Sequence, residues 1–228
     1  LEISKKLGNK KWKDSVINLH KSKTMQNLNS SYYKRLAYDE ILASLLVMSQ
    51  IRKKIKRTKK KNKLFKNILS TTLISNFNFK LTQNQKKIIE EINKDLKSPY
   101  KMFRLLQGDV GTGKTIVSLI AASNVIESNF QTAFMAPTEI LAEQHYHLAK
   151  NIFKGTNIEI GFLTGNTKIV NRKIIIDKLI NGKINLLIGT HALFQKNIFF
   201  KNLGLVIIDE QHKFGVKQRL DLANKGGN

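Results

Sequence analysis

Short apolar runs recur along the second part of the chain, at 102–106 (MFRLL), 131–136 (QTAFMA), 158–163 (IEIGFL), 184–188 (INLLI) and 203–208 (LGLVII). Stretches with three- and four-residue apolar spacing lie between them, at 114–127, 138–153 and 167–181. Strand, helix and strand at this spacing predict right-handed βαβ units and a mainly parallel sheet. One more helix precedes them, from a Thr82 N-cap through Lys97, stopped by Ser98-Pro99. The first 80 residues read differently. From Tyr33 to about Lys60 there is neither Gly nor Pro, and Ala37, Ile41, Leu45, Met48, Ile51 and Ile55 form one apolar stripe on a helix. That stripe is expected to be packing surface. The predicted fold class is therefore α/β: a helical region over 1–80, then a parallel α/β domain over 81–228.

Composition sharpens this division. Of 228 residues, 41% are apolar, enough for a core, and no run approaches the roughly 18 apolar residues of a membrane span. The chain begins at Leu1 followed by charges, so no signal peptide is visible. With no cysteine there are no disulfides or thiolate metal sites, which fits a reducing cytoplasm. The formal charge is +24 and uneven: residues 1–80 hold 20 Lys/Arg against 4 Asp/Glu, and residues 81–228 hold 20 against 12. The run RKKIKRTKKKNK (52–63) reads as a solvated basic face or as a contact for a phosphate backbone. A surplus of this size attracts polyanions, nucleic acid above all. Lys outnumbers Arg 34 to 6, however, as an AT-rich genome also produces, so charge alone leaves the partner open.

Ligands of parallel α/β sheets bind beyond the carboxyl ends of the strands, and the candidate chemistry falls there. GDVGTGKT (108–115) matches G-x-x-x-x-G-K-[ST] at every fixed position, after an apolar run and at the start of a helix. Gly108, Asp109, Val110, Gly111, Thr112 and Gly113 would wrap a phosphate with backbone amides, Lys114 would reach the β- and γ-phosphates, and Thr115 would ligate Mg²⁺. A nucleoside triphosphate, ATP, is the expected ligand. The run LGLVII ends in Asp209 and Glu210, two groups that resist burial. Beside a phosphate loop, Asp209 would hold Mg²⁺ and Glu210 would orient the attacking water.

Other segments point past a generic nucleotide site. Asp209-Glu210-Gln211-His212 resembles the DExH box of superfamily 2 helicases, in which the fourth residue links nucleotide state to the nucleic-acid site. APTEILAEQH (136–145), LTGN (163–166) and IGTHALF (188–194) resemble helicase segments that line the nucleic-acid groove, which implies backbone contacts for Pro137, Thr138, Thr164, Gly165, Thr190 and His191. FKLTQNQ (79–85) resembles the adenine-reading segment, with Gln85 on the base edge. RLAYDEIL (35–42), RLLQGDVGTGKT (104–115), GTHALFQ (189–195) and LGLVIIDEQHKFGVKQR (203–219) are similar to the RecG family, over roughly residues 11–228. Thr112 stands where that family usually has Ser, and Lys213 where it has Arg, losing a fork-shaped donor.

The resemblance implies a RecA-like lobe behind a basic helical linker, and an ATP-dependent helicase that remodels forks and Holliday junctions in recombination and repair. It further implies a monomeric motor of the bacterial cytoplasm and nucleoid, without membrane attachment. RecG proteins carry a wedge domain before this region and a second motor lobe after it, so an internal fragment with little activity of its own is expected. Three other readings stay open on the residues alone. A transcription–repair coupling motor is related but would be expected to read DEEH. The remaining two are a P-loop ATPase that ignores nucleic acid and a DNA-binding module that has lost its chemistry.

Overall fold

The computed structural model describes residues 10–21, 30–57, 59–77, 79–195, 197–210 and 213. The chain divides into two compact units, Leu1–Thr58 and Lys59–Asn228. In the first, α1 (Trp12–Lys21) packs against α2 (Ser31–Arg57). Ser15 is fully buried, and Lys10 Nζ lies 4.9 Å from the Tyr32 ring centroid. The apolar stripe on α2 is not the buried surface that its periodicity suggests. Ile41 and Leu45 are 60% and 62% exposed, and Leu46 and Val47 are exposed beside them. Among the described residues of this unit, the partner of this 27-residue helix is the ten-residue α1, which at ~1.5 Å per residue is too short to cover it. The side chains of Met48, Ile51 and Ile55 lie outside the described residues.

In the second unit, four parallel strands form one sheet in the order β2-β3-β1-β4: β1 (Gln131–Met135), β2 (Ile160–Leu163), β3 (Leu186–Gly189) and β4 (Leu203–Ile208). Burial follows the order. The inner strands β1 and β3 are buried at every position, whereas edge strand β2 alternates. Period-two alternation also sorts the two faces. Ala133, Met135 and Leu187 point to one side, where they pack with Leu179 of α7 (Ile169–Ile180) and with Leu193 and Ile198. Phe134, Leu186 and Ile188 point to the other, against Leu119 and Ile126 of α5 (Lys114–Glu127) and Ala149 and Ile152 of α6 (Glu139–Ile152). Behind α5 stand α3 (Ile68–Ser75) and α4 (Gln83–Lys97), with Ile89, Ile92 and Leu96 of α4 packed on Val117, Ala121 and Val125.

The predicted strand at 102–106 is absent from the sheet. Met102 and Leu106 turn toward the α4–α5 core, but Phe103 and Leu105 are 73% and 64% exposed. Side chains fix this segment instead of a ladder. Arg104 Nε and Nη2 donate to Asp95 Oδ2 at 2.9 and 2.8 Å, and Nη1 donates to Glu91 Oε2 at 2.8 Å, both acceptors on α4. A short apolar run alone does not decide pairing.

Residues 59–80 pack within this unit. Lys59 bridges Tyr100, Lys60 N donates to Pro99 O at 2.9 Å, and Leu73 of α3 is fully buried in the sheet-side core. Glu127, the last residue of α5, accepts from Lys66 N at 2.6 Å and Leu69 N at 3.1 Å, satisfying amides at the start of α3. A side-chain relay extends the same clip: Asn124 Nδ2 donates to Asn93 Oδ1 at 2.8 Å. The end of the basic run is therefore not a uniformly solvated face. Lys63 is 4% exposed, with its ammonium 4.8 Å from the Phe130 ring centroid. Gly204 makes the room, because a Cβ there would lie 3.0 Å from Lys63 Cε.

Two predictions follow from packing. Burial, reinforced by the neighbouring Lys60 charge, lowers the Lys63 ammonium from 10.5 to about 8. The unfolded chain thus binds more protons than the folded one between about pH 8 and 10.5, and stability rises with pH across that window. Denaturant midpoints at pH 7.5, 9 and 10 should show the rise, and Lys63→Met should flatten it. The second concerns Gly189, where a Cβ would sit 1.9 Å from Leu163 O. Gly189→Ala is expected to lose about 3 kcal/mol in denaturant unfolding. Gly165→Ala, where a Cβ meets nothing within 4 Å, should change little.

Candidate functional site

The strand register decides what can meet. Leu163 pairs with Gly189, Gly189 with Met135, and Met135 with Ile208, so all four strands end in one row. The residues that follow each strand therefore share one edge: Thr164 and Gly165 after β2, Thr190 and His191 after β3, Pro137 and Thr138 after β1, and Asp209 and Glu210 after β4.

The phosphate loop runs into α5. Gly111 and Gly113 both have φ +82°, a left-handed conformation that glycine adopts without a Cβ penalty. Thr112 closes the turn, its hydroxyl donating to Asp109 O at 2.8 Å. The Lys114 ammonium donates to Gly108 O and Asp109 O at 2.7 Å each, folded back across its own loop. Beyond Gly111 a Cβ would meet nothing within 4 Å, and Val110 is 99% exposed, so the concave side of the loop opens outward.

Helix α4 braces this loop. Thr82 caps it with a complete capping box: Thr82 Oγ1 accepts from Gln85 N at 3.2 Å, and Gln85 Oε1 accepts from Thr82 N at 2.9 Å. Gln85 Nε2 donates to Thr112 O at 3.0 Å, and a Cβ on Gly113 would lie 2.5 Å from that nitrogen. The structure thus places Gln85 against the phosphate loop, with both ends of its carboxamide engaged. The Arg104 fork anchors the other end of the same helix.

Asp209 sits beside this loop. Its N–H donates to Met135 O at 2.8 Å, carrying the β1–β4 ladder one residue past the strand. Its Oδ1 accepts from Glu210 N at 3.0 Å, and Oδ2 lies 2.8 Å from His145 Nε2. An ionised carboxylate only accepts, so Nε2 is the donor there. The His145 hydrogen bond, helped by the Glu210 N–H and by attraction to Lys114, outweighs burial and holds the Asp209 carboxyl below the usual carboxylate range. That attraction also brings the strand-end carboxylate and the phosphate-loop lysine into one electrostatic neighbourhood. Glu210 has φ 50°, a left-handed turn, and is exposed. Gln211 and His212 lie outside the described residues; Lys213 N donates to Glu210 O at 2.9 Å.

Of the six residues expected at a nucleic-acid groove, four reach the surface. Thr138, Gly165 and His191 are exposed and Pro137 is partly so. Thr164 and Thr190 are 2% and 4% exposed. Their hydroxyls are therefore buried rather than lining a surface: Thr190 follows inner strand β3, and Thr164 is covered by the loop that follows it and by Glu139. Thr164 Oγ1 instead donates to Glu139 Oε1 at 2.7 Å, and Asn166 Nδ2 donates to Glu139 Oε2 at 2.6 Å. Glu139 opens α6, whose N-cap Thr138 accepts from Leu141 N at 3.3 Å. The loops after β1 and β2 are joined in this way.

Two residues here went unassigned in the sequence. Glu139 lies within APTEILAEQH and carries no motif signature of its own. His145 had a signal: an imidazole among Ala142, Ala149 and Ile152 at helical spacing on a buried face.

The residues present suit a phosphate group and a divalent cation. Two left-handed glycines shape the loop, an ammonium crosses its mouth, a hydroxyl stands at Thr115, and an oriented carboxylate faces them from β4.

A family model described as DEAD/DEAH box helicase matches residues 82–226. The protein named ATP-dependent DNA helicase RecG from Thermotoga maritima is 46% identical over 226 residues, 99% of this chain and 28% of that protein. Its namesake from Bacillus subtilis is 43% identical over 209 residues, 91% of this chain and 30% of the relative. A solved structure, RecG bound to a three-way DNA junction, superposes with a TM-score of 0.74 at 45% identity, covering 81% of this chain and 25% of that one. The chain thus spans somewhat under a third of the relatives it matches. With that match across its α/β region, the chain belongs to the DEAD/DEAH box helicase family.

Proposed function

We propose that this chain is the ATP-binding lobe of an ATP-dependent DNA helicase that acts on branched DNA, reversing forks and migrating Holliday junctions in recombination and repair. The observation that carries the reading is a phosphate loop turned by two left-handed glycines, together with a strand-end Asp209 held on both oxygens, in a chain so similar to proteins named ATP-dependent DNA helicase RecG. The branched substrate is supported by the 45% identity to a RecG solved on a three-way junction. Residues 81–228 would form the lobe and residues 1–80 its basic lead-in, in a motor that works as a monomer in the cytoplasm at the nucleoid. Among the described residues no helix is long and apolar enough to cross a membrane.

In this reading the amides of residues 108–115 receive the phosphates at the start of α5. Lys114 exchanges its two carbonyl partners, Gly108 and Asp109, for β- and γ-phosphate oxygens. Thr115 and Asp209 would hold Mg²⁺, which when bound supplies positive charge against the phosphates. Glu210 orients the attacking water and accepts its proton, and His212 relays nucleotide state. Gln85 reads the adenine edge by releasing Thr112 O or Thr82 N. Pro137, Thr138, Gly165 and His191 meet the DNA backbone directly. Thr164 and Thr190 shape that surface from beneath.

A fluorescent ATP analogue should bind the chain, and Lys114→Ala should weaken binding by about 10- to 100-fold, the loss of charge-assisted hydrogen bonds worth about 1.5–3 kcal/mol. Forked DNA should be retained at about 50 mM salt and released as salt rises. Binding indifferent to Lys114 would sink the nucleotide site. Undetectable fork binding at low salt, with nucleotide binding intact, would instead favour an ATPase that does not act on nucleic acid.

A further inference from the structure

One side chain at the strand-end row belongs to neither the phosphate loop nor the DNA-facing loops. His145 lies on the buried face of α6, 8% exposed, between Ala142 and Ala149. Its ring packs on Phe134 of β1, with centroids 4.8 Å apart and planes tilted by 43°. From there Nε2 reaches Asp209 Oδ2 at 2.8 Å, a contact between elements 64 residues apart in sequence. Among the described residues, Asp209 is otherwise held by its backbone N–H on Met135 O of the neighbouring strand and by the next residue's N–H on Oδ1. Those two bonds fix the backbone and one oxygen. Where the second oxygen points is set by His145, and packing fixes the imidazole in its turn.

We propose that His145 is the positioning residue for the divalent cation, orienting the Asp209 carboxylate toward the phosphate loop from helix α6. The inference rests on the reading of Asp209 as a Mg²⁺ ligand. A donor that orients a metal-binding carboxylate typically accounts for about 10- to 100-fold in metal affinity. A histidine that merely satisfied a buried carboxylate would alter stability alone. The two roles therefore separate in the cation requirement for nucleotide binding.

The test titrates MgCl₂ against binding of an N-methylanthraniloyl ADP probe, in the unsubstituted chain and in His145→Phe and His145→Gln, with a second series in EDTA. His145→Phe keeps a ring on Phe134 and removes the donor; its Mg²⁺ concentration for half-maximal effect should rise about 10- to 100-fold, with EDTA-series binding unchanged. His145→Gln restores an N–H donor at similar reach and should recover most of the loss. An unchanged Mg²⁺ requirement in His145→Phe overturns the proposal, as does an equal loss with and without Mg²⁺. If the apolar variant does not fold, His145→Asn replaces it: its amide is too short to reach Oδ2, so parity with His145→Gln overturns the proposal. If the unsubstituted chain binds the probe without any Mg²⁺ dependence, the Mg²⁺ role of Asp209 itself falls, a failure distinct from that of His145.

Discussion

At Gly189 there is no room for a side chain, since a Cβ would lie 1.9 Å from Leu163 O, and the row of strand ends depends on that bare position. Parallel strands pair with evenly spaced, slanted hydrogen bonds, so where one strand ends need not fix where its neighbour does. Here Leu163, Gly189, Met135 and Ile208 share one row. Only a residue without a side chain lets β2 and β3 close at that row. Once they close, four loops from distant parts of the sequence leave the sheet side by side. Carboxylate and groove residues thereby become neighbours, while the phosphate loop is placed beside them by α5 and the Gln85 brace.

A row of strand ends collects unpaired polar groups, and several find a partner on a helix, although the buried Thr190 hydroxyl has none among the described residues. Asp209 is met by His145 of α6, Thr164 and Asn166 by Glu139 of the same helix, and Thr112 O by Gln85 of α4. The helices thus do more than cover the sheet. Their first two turns supply donors and acceptors that the loops lack. Two carboxylates can end this half-buried apolar strand because one of them, Asp209, is hydrogen-bonded on both oxygens and the other, Glu210, is exposed.

Sequence periodicity located what depends on local chemistry. Helix α4 begins behind Thr82 and α6 behind Thr138 because each hydroxyl caps an amide three residues on. The span Lys114–Glu127 and the strand-end positions of Asp209, Thr138 and Thr190 were legible for the same reason. What failed to show depends on partners distant in sequence. The run at 102–106 is as apolar as a strand, but α4 claims it through Arg104. The α2 stripe has helical spacing yet only a short helix to lie against. Lys63 is buried because Gly204, far along the chain, leaves a space. His145 shows its role only because β4 delivers a carboxylate to it from 64 residues away.

Glu127 gives helix α5 a second loaded end. At its first residue the helix carries the phosphate-loop lysine; at its last, a carboxylate grips the amides of Lys66 and Leu69. An α-helix of 14 residues is a rigid rod of roughly 21 Å. One rigid element therefore joins the phosphate loop to the stretch that leads into α3, so the position of either end fixes that of the other.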